Sequence, residues 1–175
     1  MRIIGIDPSL AHTGLICLEG DIGAWALTRM HLVSTETEAA PRKNEDDLRR
    51  SMVWLAEVRP FIENADMLCV ELPQIGGANM QARSMWTSGI ALGLVASLSP
   101  AVVALHPRQI KEVTGIKDAD KAQMCNWAYQ MYPAAAWPSR KVGGQQVPLV
   151  RNHHLADALA TAVTGLILKN MWKPT

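Results

Sequence analysis

The sequence predicts a mixed α/β fold built on a single sheet, and three observations carry that expectation. Two short apolar runs, residues 2–7 and 67–71, each end on a carboxylate, as buried strands do where they reach the rim of a sheet. Strand-like and helical stretches follow in the order three strands, helix, strand, helix, strand, helices. The composition, 49% hydrophobic and 19% charged over 175 residues, suits one core-bearing domain spanning 1–175 and excludes disorder.

Each element has its own warrant. Arg2-Ile3-Ile4-Gly5-Ile6-Asp7 is an apolar run stopped by Pro8 and predicts the first strand. Residues 12–18 and 24–33 predict the second and third, turned by Glu19-Gly20-Asp21. Residues 34–43 are polar with a proline and predict a loop. Asn44 is placed to cap a helix whose apolar positions Leu48, Met52, Leu55 and Ile62 follow helical spacing. Residues 67–70 predict a fourth strand running into Glu71. After a loop over 73–77, residues 80–98 are apolar on most sides, the pattern of a buried or dimer-forming helix.

Residues 102–105 predict a fifth strand, and Pro107 opens a short helix. Asp118 is placed to cap another helix that ends near Pro133. Residues 132–150 hold three prolines and Gly143-Gly144, and predict a long flexible loop. Nineteen structureless residues exceed what compact domains usually leave, so this stretch points to a functional element. Asn152 is placed to cap a closing helix through about Lys169, with Leu155, Leu159, Ala162 and Leu166 as its core-seeking stripe.

Composition excludes several classes. No run approaches the 18 or more apolar residues of a membrane span, and Asp7 interrupts the opening apolar stretch too early for a signal peptide. Cys17, Cys69 and Cys125 are an odd number without Cys-x-x-Cys spacing, which argues against a disulfide framework or zinc ribbon and for a cytoplasmic setting. No internal repeat or low-complexity segment is present. The net charge of +1 is unevenly divided. Residues 1–71 hold 7 Lys/Arg against 12 Asp/Glu, whereas residues 72–175 hold 10 against 4. A basic second half can face a polyanion.

The chemistry lies in the carboxylates. Asp7 and Glu71 end predicted neighbouring strands, and the strand ends of open α/β sheets are the usual place for a site. His154 and Asp157 are three residues apart on the closing helix and share a face. If that helix packs beside the first strand, all four side chains converge. Clustered carboxylates repel one another unless a cation holds them. Oxygen ligands suit Mg²⁺, and an added imidazole suits Mn²⁺ as a substitute. Two such ions about 4 Å apart would serve phosphodiester hydrolysis.

Gly5-Ile6-Asp7-Pro8-Ser9 with Thr13-Gly14 resembles the opening of RuvC-type Holliday junction resolvases. Glu71 looks like that family's second acidic position, and Arg108-Gln109-Ile110-Lys111 resembles its Arg-Gln-Val-Lys stretch. Asp120-Lys121-Ala122-Gln123 is similar to its later lysine segment. His154-Leu155-Ala156-Asp157-Ala158-Leu159-Ala160 is similar to its closing motif, whose first ligand is Asp in some members and His in others. The ordered matches span nearly the whole chain.

The resemblance implies an RNase H-like fold, a five-stranded mixed sheet flanked by helices. It also implies a homodimer whose two sites nick opposing strands of a four-way DNA junction, leaving 5′-phosphate and 3′-hydroxyl ends. By position, Asp7, Glu71, His154 and Asp157 would be catalytic and hold two metal ions, Mg²⁺ with Mn²⁺ as substitute. Arg108, Lys111 and Lys121 would lie near the DNA phosphates. A motor or branch-migration partner is not readable from the sequence.

Two departures from the family stand out. Between Lys121 and Asp157 the chain runs longer than a typical bacterial member, through a stretch with Trp137, Arg140, Lys141 and Arg151 that could grip DNA. Phage-encoded relatives vary in such regions, which suggests a phage origin. The aromatic residue that bacterial relatives carry after the second acid is missing. Leu72 and Ile75 stand there instead and could wedge between bases at the crossover.

Other classes fit less well. A flap or branched-DNA nuclease of broader specificity shares the metal chemistry. An actin or sugar-kinase-like nucleotide-binding protein shares Gly5-Ile6-Asp7 and Thr13-Gly14, but needs a second phosphate loop and about twice the length. A purely junction-binding protein would have no reason to keep every carboxylate.

Overall fold

The structure, a computed structural model, describes residues 1–38, 42–73, 82–98, 101–116 and 118–172. Strands β1 (Arg2–Asp7), β2 (His12–Asp21) and β3 (Ala24–Ser34) form an antiparallel meander. Strands β4 (Met67–Glu71) and β5 (Val102–Leu105) extend it in parallel from the β1 edge. The order β3-β2-β1-β4-β5 is the mixed five-stranded sheet expected. β1 and β4 are central and covered on both faces, which is why they read as unbroken apolar runs.

Helices α1 (Lys43–Ile62) and α2 (Ala82–Leu98) cover one face, around Trp54, Val58 and Phe61 from α1 and Ala91 and Val95 from α2. The other face carries α5 (Asn152–Leu168), with α4 (Lys121–Met131) and the short α3 (Pro107–Glu112) beside it. Leu155, Leu159, Ala162 and Leu166 are fully buried there, as their spacing predicts. Two glycines let α5 lie this close. A Cβ on Gly5 would stand 2.0 Å from the Ala158 carbonyl oxygen, and one on Gly14 would stand 2.0 Å from that of His154. Both glycines of the opening motif are therefore seats for the closing helix.

Several expectations need correction. Lys43 opens α1 behind Arg42, so Asn44 is not its cap. Leu48 and Met52 are each 65% exposed rather than in the core. The first turns of α1 bury polar groups instead. Arg50 donates from Nε to Thr35 Oγ1 at 2.9 Å and lies 3.8 Å from Asp47, and Thr35 in turn donates to the Leu10 carbonyl. Asp120, not Asp118, caps α4: its carboxylate accepts from the Gln123 N–H at 2.8 Å, while Asp118 sits at φ 53°. Asn152 lies inside the first turn of α5 with its side chain turned to the preceding segment.

The predicted 132–150 loop is also partly ordered. It folds as a hairpin of β6 (Ser139–Val142) and β7 (Gln145–Pro148), turned by Gly143 and Gly144 at φ 58° and 84°. Positive φ at both central residues is what a two-residue type I′ turn requires. Cys17, Cys69 and Cys125 are free thiols, and among the described residues no helix is long and apolar enough to cross a membrane.

Candidate active site

The register places the acids. Ile6 pairs with Val70 in the parallel β1–β4 ladder, so Asp7 and Glu71 follow side by side at the same rim. On the other flank Asp7 pairs with Gly14, which carries the first turn of α5 against it. That turn delivers His154, whose Nδ1–H donates to Asp7 Oδ2 at 2.6 Å. Asp157 follows one turn on, and its ionisation responds to Asp7, Lys111 and Lys121. Asp7, Glu71, His154 and Asp157 thus share one rim, where His154 bonds Asp7 and the three acids act on one another electrostatically.

Burial and mutual repulsion both act on these acids. Burial, and then repulsion from Asp7 and Asp157, pushes the Glu71 carboxyl up to about 8. Burial and then Asp7 push Asp157 up to about 7. Lys111 opposes both shifts and Lys121 opposes the second, so the two lysines stand within electrostatic reach of the acids. A dication held between these carboxyls would bring both back toward their ordinary range. Among the described residues no three His, Cys, Asp or Glu side chains are already drawn into a chelating set. The donor set fits a hard dication nonetheless: three carboxylates plus an imidazole whose Nδ1–H is committed to Asp7, leaving Nε2 as the ligating atom.

Around the acids lies a rim that the sequence reading missed. His153 donates from Nδ1 to the Val150 carbonyl at 2.8 Å, and its Nε2 accepts from the Lys121 ammonium at 3.2 Å. Burial lowers the pKa of His153, consistent with its accepting role. His12 stands 5.7 Å from His154, ring centre to ring centre, with Nδ1 3.2 Å from Ser34 Oγ. Neither role has a sequence signal, because each depends on a partner far along the chain.

The predicted DNA-facing residues divide. Lys111 and Lys121 are exposed beside the acids. Arg108 is 91% exposed, but its Nε donates to Glu112 at 3.2 Å along α3. Leu72 lies just past Glu71, its N–H bonded to the Leu105 carbonyl at 2.8 Å, in a groove of about 930 Å³ shared with Leu92, His106, Lys111 and Ile116. Arg140 and Lys141 are exposed on the hairpin. Ile75 lies outside the described residues. Trp137 is a packing residue rather than a DNA grip: it stands edge-on to Tyr129 at 5.0 Å and donates from Nε1 to the Tyr132 carbonyl.

A five-stranded mixed sheet with acids at adjacent strand ends, completed by the closing helix, defines an RNase H-like nuclease. The structure of Thermus thermophilus RuvC in complex with Holliday junction substrate matches with a TM-score of 0.70, over 98% of this chain and 96% of that one, at 24% identity. A second Thermus thermophilus RuvC structure matches with a TM-score of 0.67 over the whole of both chains, at 25% identity. The crossover junction endodeoxyribonuclease RuvC of Frankia casuarinae is 30% identical over 175 residues, covering 95% of this chain and 89% of its own length. No family model matches the chain. The chain belongs to the RuvC family of crossover junction endodeoxyribonucleases, which are metal-dependent nucleases.

Proposed function

We propose that this chain, acting as a homodimer, resolves four-way DNA junctions by paired nicks that leave 5′-phosphate and 3′-hydroxyl ends. The observation that carries the reading is the convergence of Asp7, Glu71, His154 and Asp157 at one sheet rim. These four residues would hold two Mg²⁺ ions, with Mn²⁺ as a substitute. Bound there, the metal would supply an activated water and neutralise charge on the leaving oxygen. Asp7 orients the His154 ring, and Glu71 and Asp157 stand half-buried at the same rim.

Lys111 and Lys121 would meet the phosphates beside the cut as point charges, with His153 steadying Lys121 and Arg108 at the groove rim. Leu72, which lines the groove beside Glu71, would press between bases at the crossover, in the manner of aliphatic wedges that kink DNA. Dimerisation would use α2, where Trp86 is 59% exposed and a Cβ on Gly89 or Gly93 would meet open space. The exposed Leu48 and Met52 of α1 lie on the same side of the sheet.

Purified protein with Mg²⁺, offered four-way, three-way, flap and linear DNA, tests the reading. Symmetric nicks confined to the four-way substrate are expected. Equal cutting of flaps and three-way DNA would replace it with a branched-DNA nuclease of broader specificity.

A further inference from the structure

The β6–β7 hairpin is the feature that the catalytic cluster leaves unused. The geometry points to a DNA-reading ribbon: the hairpin enters a groove of one duplex arm next to the cut. This rests on the junction-cutting reading and adds a second contact to it, away from the metal site.

Charge is the first argument. From residue 121 through 156 the chain has no Asp or Glu, yet it holds Lys121, Arg140, Lys141 and Arg151. Every residue of both hairpin strands is exposed, so these strands stand clear of the core. A protruding element without one acid, in a protein that handles DNA, matches a polyanion far better than a protein partner.

The base of the hairpin is held firmly. Pro138 O accepts from the Leu149 N–H at 3.1 Å and from Asn152 Nδ2 at 2.9 Å. The same Asn152 nitrogen donates to Tyr129 Oη at 3.0 Å, and Tyr129 packs on Trp137. Asn152 is fully buried and lies two residues before His154. The ribbon is thus clamped to the first turn of the helix that carries the candidate site. Its direction relative to the cut is set by the fold.

Shape and chemistry then agree. Four residues per strand at about 3.3 Å each make a ribbon about 13 Å long. A two-stranded ribbon of that kind enters the major groove of B-DNA, about 12 Å wide. The register puts Arg140 opposite Val147 and Val142 opposite Gln145 on one face, with Lys141 opposite Gln146 on the other. Ser139 Oγ donates to Gln146 Oε1 at 3.0 Å, which occupies the amide's acceptor end, and Gln146 is exposed on the same face as Lys141. Cations that take phosphates, flanked by amides that take base edges and valines that meet thymine methyls, are the parts groove readout uses.

The test uses the full-length protein carrying Asp7→Asn, so that junctions are bound without being cut, together with an otherwise unaltered set for cleavage. Arg140→Ala/Lys141→Ala should lower junction affinity about tenfold and flatten the log–log salt dependence by about 1.8 for each hairpin engaged. Hydroxyl-radical protection should vanish from a patch on one arm and persist at the crossover. Gln145→Ala/Gln146→Ala should keep the salt slope but level the preference among junctions that differ only in arm sequence. Joining Ser139 to Pro148 through two glycines removes the ribbon while keeping both anchors, and should reproduce both losses with the melting temperature retained.

An unchanged slope and footprint in the Arg140/Lys141 variant, with wild-type protein still cutting four-way junctions, overturns the ribbon and leaves the enzyme reading standing. Unchanged arm preference in the glutamine variant overturns the groove contact. Wild-type protein that neither binds nor cuts four-way DNA defeats the reading on which the ribbon rests.

Discussion

Nδ1 of His154 stands 2.6 Å from Oδ2 of Asp7, across 147 residues of sequence. The contact ties the last helix to the first strand and fixes which imidazole nitrogen carries the proton. Burial is what most raises the Glu71 and Asp157 carboxyls, and the neighbouring Asp7 adds to both shifts.

Asp7→Asn should therefore abolish cutting while junction binding persists. The amide oxygen can still accept from His154, so the lost charge assistance costs about 1 kcal/mol. Relief of the repulsion on Glu71 and Asp157 offsets it, and the metal-free variant should melt at or above the wild-type temperature. Nicking assays on a labelled four-way junction, with gel-shift binding in parallel, check this. Undiminished cleavage would remove Asp7 from the site.

His154→Asp should remain active, with its rate in Mn²⁺ lowered relative to its rate in Mg²⁺. An imidazole nitrogen favours the softer ion, and an all-oxygen shell favours the harder one. Comparing rates across both metals at matched concentration measures the shift. A variant dead under every metal would count against His154 as a ligand.

What the sequence revealed follows from which residues speak for themselves. β1 and β4 could be bounded because an apolar run ends abruptly on Asp7 and Glu71, and α5 because its leucines keep one stripe. The inner face of α1 could not be read. Its first turns bury Asp46, Asp47, Arg50 and Ser51, and polar residues look like surface until their partners are known. The hairpin was hidden for a related reason. Its strands are exposed throughout and carry no apolar alternation, so only Gly143-Gly144 marked the turn. Asn152 looked like a cap, although Tyr129 and Pro138 claim its side chain.

The exposed apolar residues of α1 and α2 bear on assembly. Met52→Glu together with Trp86→Glu should convert a dimer to monomer at micromolar concentration, with little loss of monomer stability because both side chains are mostly exposed. Light scattering reads the mass. Paired nicking should fall to single, uncoordinated nicks. A wild-type protein that is monomeric yet nicks in pairs would overturn the dimer.

The raised carboxyls predict how the metal-free fold responds to pH. Glu71 titrates near 8 and Asp157 near 7, against ordinary values of 4.5 and 3.8. Between about pH 4 and 8 the folded state consequently holds protons that the unfolded chain has released, so stability falls as pH rises through that window and levels off above it. The lowered His12 and His153 act in the opposite sense, losing stability as pH drops below about 6.5. Glu71→Gln separates the two, because glutamine keeps the neutral form at every pH. Its melting temperature should fall less than wild type's between pH 6 and 8. Adding Mg²⁺ or Mn²⁺ at pH 7 should restore wild-type stability and release protons, measured calorimetrically in buffers of different ionisation enthalpy. Parallel melting curves for wild type and Glu71→Gln across that range, or metal binding without proton release, would show that Glu71 is already ionised in the metal-free fold.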